Sequence, residues 1–296
     1  MMGQVQIFNG YYLVYILSAV FLTLLSLKFL KNKSDKFRYW FIFTIIMVNF
    51  LVHFLKIFIY PYTLVDHVWT KVTFENVSAT CVLLFPLLFF AKNKTLKDYM
   101  IMVGMSAGVL TFLFPLDTMS PIFNGSIDIG ARSAFMIENI RFYFAHYILF
   151  LAPFLMMHYK MHELSIRRAY RAPFMLMLIL LLIFINEVVL TLINWLPKEH
   201  LFDPSKRNPS VIFGPKEQFT GLGLMIGVFV PSFMMLTHPV YEFTFYVPVL
   251  WLILPVIIYG SMISLTFCII YDKEDTISFF RSIFKPRLSQ EERQNI

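Results

Sequence analysis

The sequence predicts an all-α fold, a polytopic membrane helix bundle with about seven transmembrane helices. Of its 296 residues, 58% are apolar and only 15% are charged, and the mean hydropathy is +0.68. A soluble domain averages about 45–50% apolar and about 25% charged residues. A water-soluble globule could not cover its surface with so few polar groups, and the chain is neither polar nor repetitive enough for disorder, collagen or a coiled coil.

Seven apolar runs approach the roughly 20 residues that a helix needs to cross the bilayer core. They cover residues 11–30, 39–60, 76–91, 99–116, 142–159, 172–196 and 244–271. The third run is short, so we expect it in the middle of the bundle. Residues 224–236 are also apolar but contain Pro231, and we expect a re-entrant or interfacial segment there rather than an eighth crossing.

The distribution of Lys and Arg predicts the orientation. Segments 28–38, 92–97, 160–171 and 272–296 hold 17 of the 25 basic residues, and such residues collect on the cytoplasmic side. The N-terminus is therefore predicted outside and the C-terminus inside. We expect one transmembrane domain over 1–271, with outer loops 117–141 and 197–223, and a cytoplasmic tail over 272–296 that forms a short interfacial helix.

Several classes of function are excluded by the same pattern. The basic residues lie in short loops, which speaks against nucleic acid as a partner. Two cysteines give neither a disulfide framework nor a multi-cysteine metal site, and no nucleotide-binding motif is present, so no cofactor is expected. The first apolar run lacks a preceding basic region, so we expect it to stay as a membrane helix. A bacterial inner membrane is the predicted location.

Polar residues inside the apolar runs mark the candidate site, because they are costly in hydrocarbon and usually face a bundle interior. On the predicted topology His53, Cys81, His146, Glu187 and Asn194 share the outer half of the membrane. Asn49 lies on the same helix face as His53, four residues earlier. We expect a cavity open toward the outer leaflet or the outside.

A cysteine and a histidine at matched depth permit nucleophilic chemistry. Cys81 would attack as a thiolate and His146 would accept its proton. Glu187 or Asn194 would orient the imidazole, while Asn49 and His53 would line the cavity and bind substrate.

Each of these residues also has an ordinary structural explanation. A lone membrane cysteine is usually a small apolar side chain. His53 can bond Asn49 or Thr63, and Glu187 can pair with His53 or Arg141.

Three short stretches carry a family resemblance. Residues 79–86 read Ala-Thr-Cys-Val-Leu-Leu-Phe-Pro, residues 142–153 form an aromatic-rich run with a His and a Pro, and residues 193–197 read Ile-Asn-Trp-Leu-Pro. Over about 41–204 the chain resembles the YwaF-type integral membrane family, which is similar to a vertebrate acyltransferase that makes ether phospholipids. The resemblance implies acyl transfer by a Cys–His pair, which falls on Cys81 and His146.

Two functions from different classes remain open at this point. The first is a membrane-bound lipid acyltransferase or acyl hydrolase that works through an acyl-thioester on membrane lipids. The second is a non-catalytic transport or binding subunit, or a structural component of a larger membrane complex with other protein subunits as partners. A short Cys–His distance would favour the first function.

Overall fold

The computed structural model describes residues 3–125, 127–215 and 226–284, and almost all of its regular structure is helical. The α-helices are α1 Gly10–Leu30, α2 Asp35–Leu55, α3 Val77–Phe90, α4 Lys94–Leu113, α5 Leu116–Met119, α6 Ile137–His158, α7 Ile166–Ala169, α8 Arg171–Leu192, α9 Ile253–Tyr271 and α10 Lys273–Phe284. Short 3-10 helices cover Lys56–Phe58, Tyr62–Leu64, Val68–Val72, Lys198–His200, Pro209–Val211, Ser232–Met234 and Leu250–Leu252.

Two small antiparallel hairpins complete the regular structure of the described residues. Strands β1 (Ile122–Phe123) and β2 (Ile127–Asp128) pair with Ile122 opposite Asp128. Strands β3 (Met235–Thr237) and β4 (Thr244–Tyr246) pair with Met235 opposite Tyr246. Both hairpins lie in connections between the long helices.

The predicted class, an all-α polytopic bundle, is confirmed. Among the described residues, six helical segments are long and apolar enough to cross a membrane: Gly10–Leu30, Asp35–Phe58, Lys94–Met119, Ile137–His158, Ile166–Leu192 and Leu250–Tyr271. The apolar helix α3 adds a shorter seventh segment. The chain is a multi-pass membrane protein.

Side-chain caps fix where several of these helices begin. Asn9, Ser34, Asn76 and Asn93 each accept a hydrogen bond from a backbone N–H in the first turn that follows. Such caps satisfy donors that the helix itself leaves unpaired. Because successive long helices alternate in direction, α1, α3, α6 and α9 begin at the end that holds the N-terminus. We call this the N-terminal end and the opposite one the C-terminal end.

Helix α3 is both central and short. It packs against α2, α4, α6 and α8, and Cys81 and Phe85 are among its fully enclosed side chains. Its 14 residues reach about 21 Å, against roughly 30 Å for the hydrocarbon core. The connection 56–76, folded as three 3-10 turns, lies between α2 and the start of α3. Part of this connection is buried, including Tyr62 and Lys71.

Helices α4 and α6 form the most extensive helix pair among the described elements. Gly104 and Gly108 of α4 lie one helical turn apart. Gly108 faces α6, while Gly104 lies against the Phe85 ring of α3 and the Leu149 oxygen of α6. A Cβ atom added at Gly108 would stand 2.7 Å from the backbone oxygen of His146 and 2.8 Å from Cβ of Phe150. Small residues four apart let membrane helices approach closely, so this pair fixes the position of His146.

The structure corrects the start of the last predicted span. Residues 244–246 form a strand, and α9 begins only at Ile253. The reason is that the β-branched and aromatic residues of β4 pair with β3, while Pro248, which has no backbone N–H, separates the strand from the helix.

The described part of the apolar stretch 224–236 contains no membrane-crossing helix. Residues 226 and 227 are helical, 228 and 229 form a turn, Ser232–Met234 is a 3-10 helix and β3 begins at Met235, while 224 and 225 lie outside the described residues. The expected helix in the tail is present as α10.

Candidate functional site

The largest concentration of buried charge closes the N-terminal end of the bundle. We call it the charge network, and it consists of Lys56, Tyr62, Lys71, Glu75, Glu138, Arg141, Glu187 and Arg207. Lys56 follows α2, the next three residues come from the connection 56–76, Glu138 and Arg141 lie in the first turns of α6, Glu187 lies in α8, and Arg207 follows α8. Segments far apart in sequence therefore meet there.

One part of the network is a two-pronged ion pair. Arg207 donates to both carboxylate oxygens of Glu187, with Nη2 3.0 Å from Oε1 and Nε bonded to Oε2. Glu187 is 1% exposed. Burial disfavours the charged form of Arg207, but the Glu187 carboxylate and its hydrogen bonds more than offset this and raise the pKa of Arg207. Parallel bonds of this kind fix geometry as well as charge.

A second part joins α6 to the connection 56–76. Arg141 donates to Glu138 from Nε at 2.5 Å and from Nη2 at 2.6 Å. The Tyr62 hydroxyl donates to Glu138 at 3.0 Å and accepts from Arg141 Nη2 at 3.0 Å. Burial raises the pKa of Tyr62 well above its ordinary value. This hydroxyl therefore stays neutral and can donate its hydrogen bond to Glu138.

The third part places two ammonium groups on one carboxylate. Lys71 donates to Glu75, and Lys56 Nζ lies 3.7 Å from the other Glu75 oxygen. Burial alone would raise the pKa of Glu75, but Lys71 and Lys56 more than offset it and lower this pKa to about 2. Glu75 is therefore ionised at neutral pH and shared between two cations.

The network carries more positive than negative charge. Within the described residues it joins four cations (Lys56, Lys71, Arg141, Arg207) to three carboxylates (Glu75, Glu138, Glu187). Arg132 lies beside the network, where burial lowers its pKa and the nearby Asp117 and Glu138 carboxylates only partly offset this effect.

Lys56 is the cation with the weakest partners. It is 4% exposed, its side chain makes no hydrogen bond to any described residue, and its Nζ lies over the Tyr62 ring, 5.3 Å from the ring centroid. A single buried positive charge is thus left without a full counter-ion.

A connecting segment covers this end of the bundle. Asn208 holds the turn together, donating to the Gly214 oxygen at 2.7 Å and accepting from the Phe213 N–H at 3.0 Å. Trp251 Nε1 donates to the Ile212 oxygen at 3.1 Å, and Ser210 Oγ accepts from the Val77 N–H at the start of α3. The segment 207–214 is therefore anchored to α3, α8 and the start of the last span, with the network beneath it.

Three buried polar atoms on α2 and α3 have no hydrogen-bond partner among the described residues. They are Asn49 Oδ1, His53 Nε2 and Thr80 Oγ1. The Asn49 amide nitrogen donates to the Ala145 oxygen at 3.1 Å, which ties α2 to α6. His53 lies close enough to Lys56 and Glu75 to feel their charges. An unpartnered buried polar atom costs about 1–3 kcal/mol, so a group that paired with these atoms would stabilise the fold.

The structure gives Cys81 and His146 separate partners. The Cys81 thiol is fully buried and lies 3.4 Å from the hydroxyl of Tyr99 on α4. His146 Nδ1 lies 2.8 Å from the Phe142 oxygen, one turn back in α6, and its ring packs on that of Phe142. Among the hydrogen bonds of the described residues, none joins Cys81 to His146.

Glu187 and Asn194 also have defined surroundings. Glu187 pairs with Arg207 rather than with His53 or Arg141. Asn194 is exposed and has φ +57, the left-handed conformation that commonly ends helices. It follows α8 as part of the turn in which the Trp195 N–H bonds the Leu190 oxygen.

Lys56, Lys71 and Arg207 were not predicted from the sequence as parts of a site. Lys56 stands near the end of an apolar run, and Lys71, Glu75 and Arg207 stand in predicted outer loops. Lys56 was the one sequence feature that could have indicated this site, because a charged residue within an apolar run needs a partner. The pairing of Arg207 with Glu187 depends on how a long connection folds back, which no local pattern reveals.

Comparisons of the chain with family models, curated proteins and solved structures find no match. The resemblance to YwaF-type proteins therefore stays a prediction, and the site has to be interpreted from its own geometry.

A smaller polar cluster lies at the C-terminal end. Asp98 of α4 is 1% exposed and accepts from His162 Nε2 at 2.7 Å and from Arg168 Nε at 2.9 Å. These bonds tie the connection between α6 and α8 to α4. In the part of the chain that the structure describes, no group of three or more His, Cys, Asp and Glu side chains is arranged to hold a metal ion.

Proposed function

We propose that this membrane protein binds an anionic group at the N-terminal end of its bundle and acts as a binding or transport subunit. The observation that carries the proposal is the surplus positive charge of the described network, centred on Lys56. An ionised group buried without a counter-charge is strongly unfavourable. A monoanion placed beside Lys56 would balance the network, and the polar atoms of Asn49, His53 and Thr80 would offer it further contacts.

Acyl transfer through Cys81 has less support from the geometry. A nucleophilic cysteine needs a base within hydrogen-bond reach, whereas the hydrogen-bond partner of Cys81 is Tyr99. A hydroxyl beside a fully buried thiol is an ordinary packing arrangement for a polarizable, largely apolar side chain. The acyltransferase hypothesis stays a separate prediction with its own test.

The anion has two sources, a water-soluble ion or the head group of a membrane amphiphile. We favour an amphiphile, because the network caps a bundle whose outer surface is apolar, with six segments long enough to cross a membrane. Short loops and positive charge gathered toward the C-terminal end fit the plasma membrane of a bacterium.

Lys56→Met separates a binding role from a purely structural one. If the surplus charge awaits a ligand, the substitution removes an uncompensated cation, so the thermal stability of the ligand-free protein stays level or rises. Binding of the anion is then lost. If Lys56 only holds Glu75 in place, the variant melts at a lower temperature and no anion binding is found in either protein.

The assay is thermal unfolding of the purified full-length protein in detergent, with and without probe. Inorganic phosphate, lysophosphatidylglycerol and uncharged lysophosphatidylcholine serve as probes, since a ligand that binds only the folded state raises the melting temperature. We expect lysophosphatidylglycerol to stabilise the wild type and Lys198→Gln, an exposed control at the same end, but not Lys56→Met. Stabilisation by phosphate alone would assign a soluble anion. Equal stabilisation by both lysolipids, or none by any probe, contradicts the proposal.

A further inference from the structure

A shallow groove lies at the other end of the bundle, where the last span leaves the membrane. It runs between the C-terminal half of α9 and helix α10, and its volume is about 450 Å³. This is within the range of about 300–1,000 Å³ typical of small-molecule sites. Its walls include Leu265 and Ile269 from α9 and Ile277 and Phe280 from α10.

Both charged residues that line the groove are cations, and they line it only with the apolar parts of their side chains, so their charged groups lie outside the apolar lining. Lys273 and Arg281 lie at opposite ends of α10 along the groove, and neither has an ion-pair partner among the described residues. The acidic residues of α10, Glu274 and Asp275, do not line the groove. An apolar wall bordered by two unpaired cations matches a molecule that combines a hydrocarbon chain with a negative charge.

The position of the groove decides what that molecule is. Tyr271 ends α9, and Asp272, with φ −143, breaks the helix before α10 begins. The groove therefore lies where the hydrocarbon region gives way to head groups. Long basic side chains reach from apolar surface toward the head-group level, and this end of the bundle is the one that the charge rule places on the cytoplasmic side.

We infer that the groove between α9 and α10 is a binding site for an anionic phospholipid of the cytoplasmic leaflet. One acyl chain lies against Ile269, Ile277 and Phe280, and Lys273 and Arg281 hold the phosphate. The site is separate from the charge network and would hold its lipid whatever the N-terminal end binds. Each basic residue near an anionic lipid surface raises the affinity for that surface roughly fivefold.

Native mass spectrometry of the full-length protein tests the head-group contact. Delipidated protein in detergent is titrated with phosphatidylglycerol in competition with phosphatidylcholine. We expect the wild type to retain phosphatidylglycerol preferentially, and the double variant Lys273→Gln/Arg281→Gln to lose roughly 25-fold of that affinity. The matched control, Lys92→Gln/Lys94→Gln, removes two exposed cations from the same end and should behave as the wild type.

Fluorescence tests the position of the chain. Phe280→Trp adds a reporter in the groove, and bromine atoms on a phosphatidylglycerol acyl chain should quench this added emission more strongly than those on phosphatidylcholine. Three results would contradict the proposed site. They are equal retention of both lipids, an equal loss of affinity in the control double variant, and equal quenching by the two brominated lipids.

Discussion

The ion pair between Glu187 and Arg207 offers the sharpest test of how the N-terminal end is built. In Arg207→Leu the Glu187 carboxylate, 1% exposed, keeps its burial and loses both hydrogen bonds that Arg207 donates. Removing one partner of a buried ion pair typically costs about 3–5 kcal/mol. We expect a loss of that size, together with detachment of the segment 207–214 from α8.

The double variant Glu187→Leu/Arg207→Leu tells whether charge or shape causes the loss. Because neither charge then remains buried alone, we expect it to be more stable than either single variant, with a coupling energy of a few kcal/mol. The assay is reversible unfolding in mixed micelles with increasing dodecyl sulfate. Exposed ion pairs contribute less than about 1 kcal/mol. A loss of unfolding free energy in that range for Arg207→Leu, or a double variant whose loss equals the sum of the two single losses, would contradict a buried, coupled ion pair.

Three further predictions concern other parts of the bundle. Because the folded-state pKa of Glu75, about 2, lies below its unfolded value, its stabilisation is present above about pH 4.5. This stabilisation is lost as the pH falls toward 2. In Glu75→Gln the melting temperature should therefore depend less on pH between about 4.5 and 2. Gly108→Ala should lower the melting temperature by several degrees, because the new Cβ meets the His146 oxygen at 2.7 Å, whereas exposed Gly10→Ala should change it little. For acyl transfer, a labelled acyl chain released by neutral hydroxylamine and absent in Cys81→Ala would establish a thioester; no label in folded wild type would leave Cys81 a packing residue.

The fold class could be predicted because it depends on composition and segment length. Apolar runs of about 20 residues in a chain with few charges have few alternatives to membrane helices. Prediction was wrong where strand pairing competed with the apolar pattern. Residues 244–246 are apolar enough to extend the last span, but their pairing with 235–237 is a tertiary contact that hydropathy does not reveal.

The site was predicted in part, and the limits have a physical cause. Glu187 and His53 were singled out because burial of a polar group demands a partner. The partners considered for Glu187 were His53 and Arg141. Its partner in the structure, Arg207, lies 20 residues away along the chain and reaches Glu187 only when a long connection folds back. Matched depth of Cys81 and His146 along their helices also left their rotational positions unspecified. The structure turns the thiol toward Tyr99.

The short third helix and the charge network are two aspects of one arrangement. Helix α3 is about 9 Å shorter than the hydrocarbon core, which leaves space at one end of the bundle. The connection 56–76 occupies this space with backbone that is not α-helical. Non-helical backbone at membrane depth is tolerated only where protein buries it or where it lines a polar cavity. Lys56, Lys71 and Glu75 belong to this connection and supply the polar surroundings. Helix α3 could reach the membrane surface only if those charges were displaced, so its length and the binding site that we propose depend on each other.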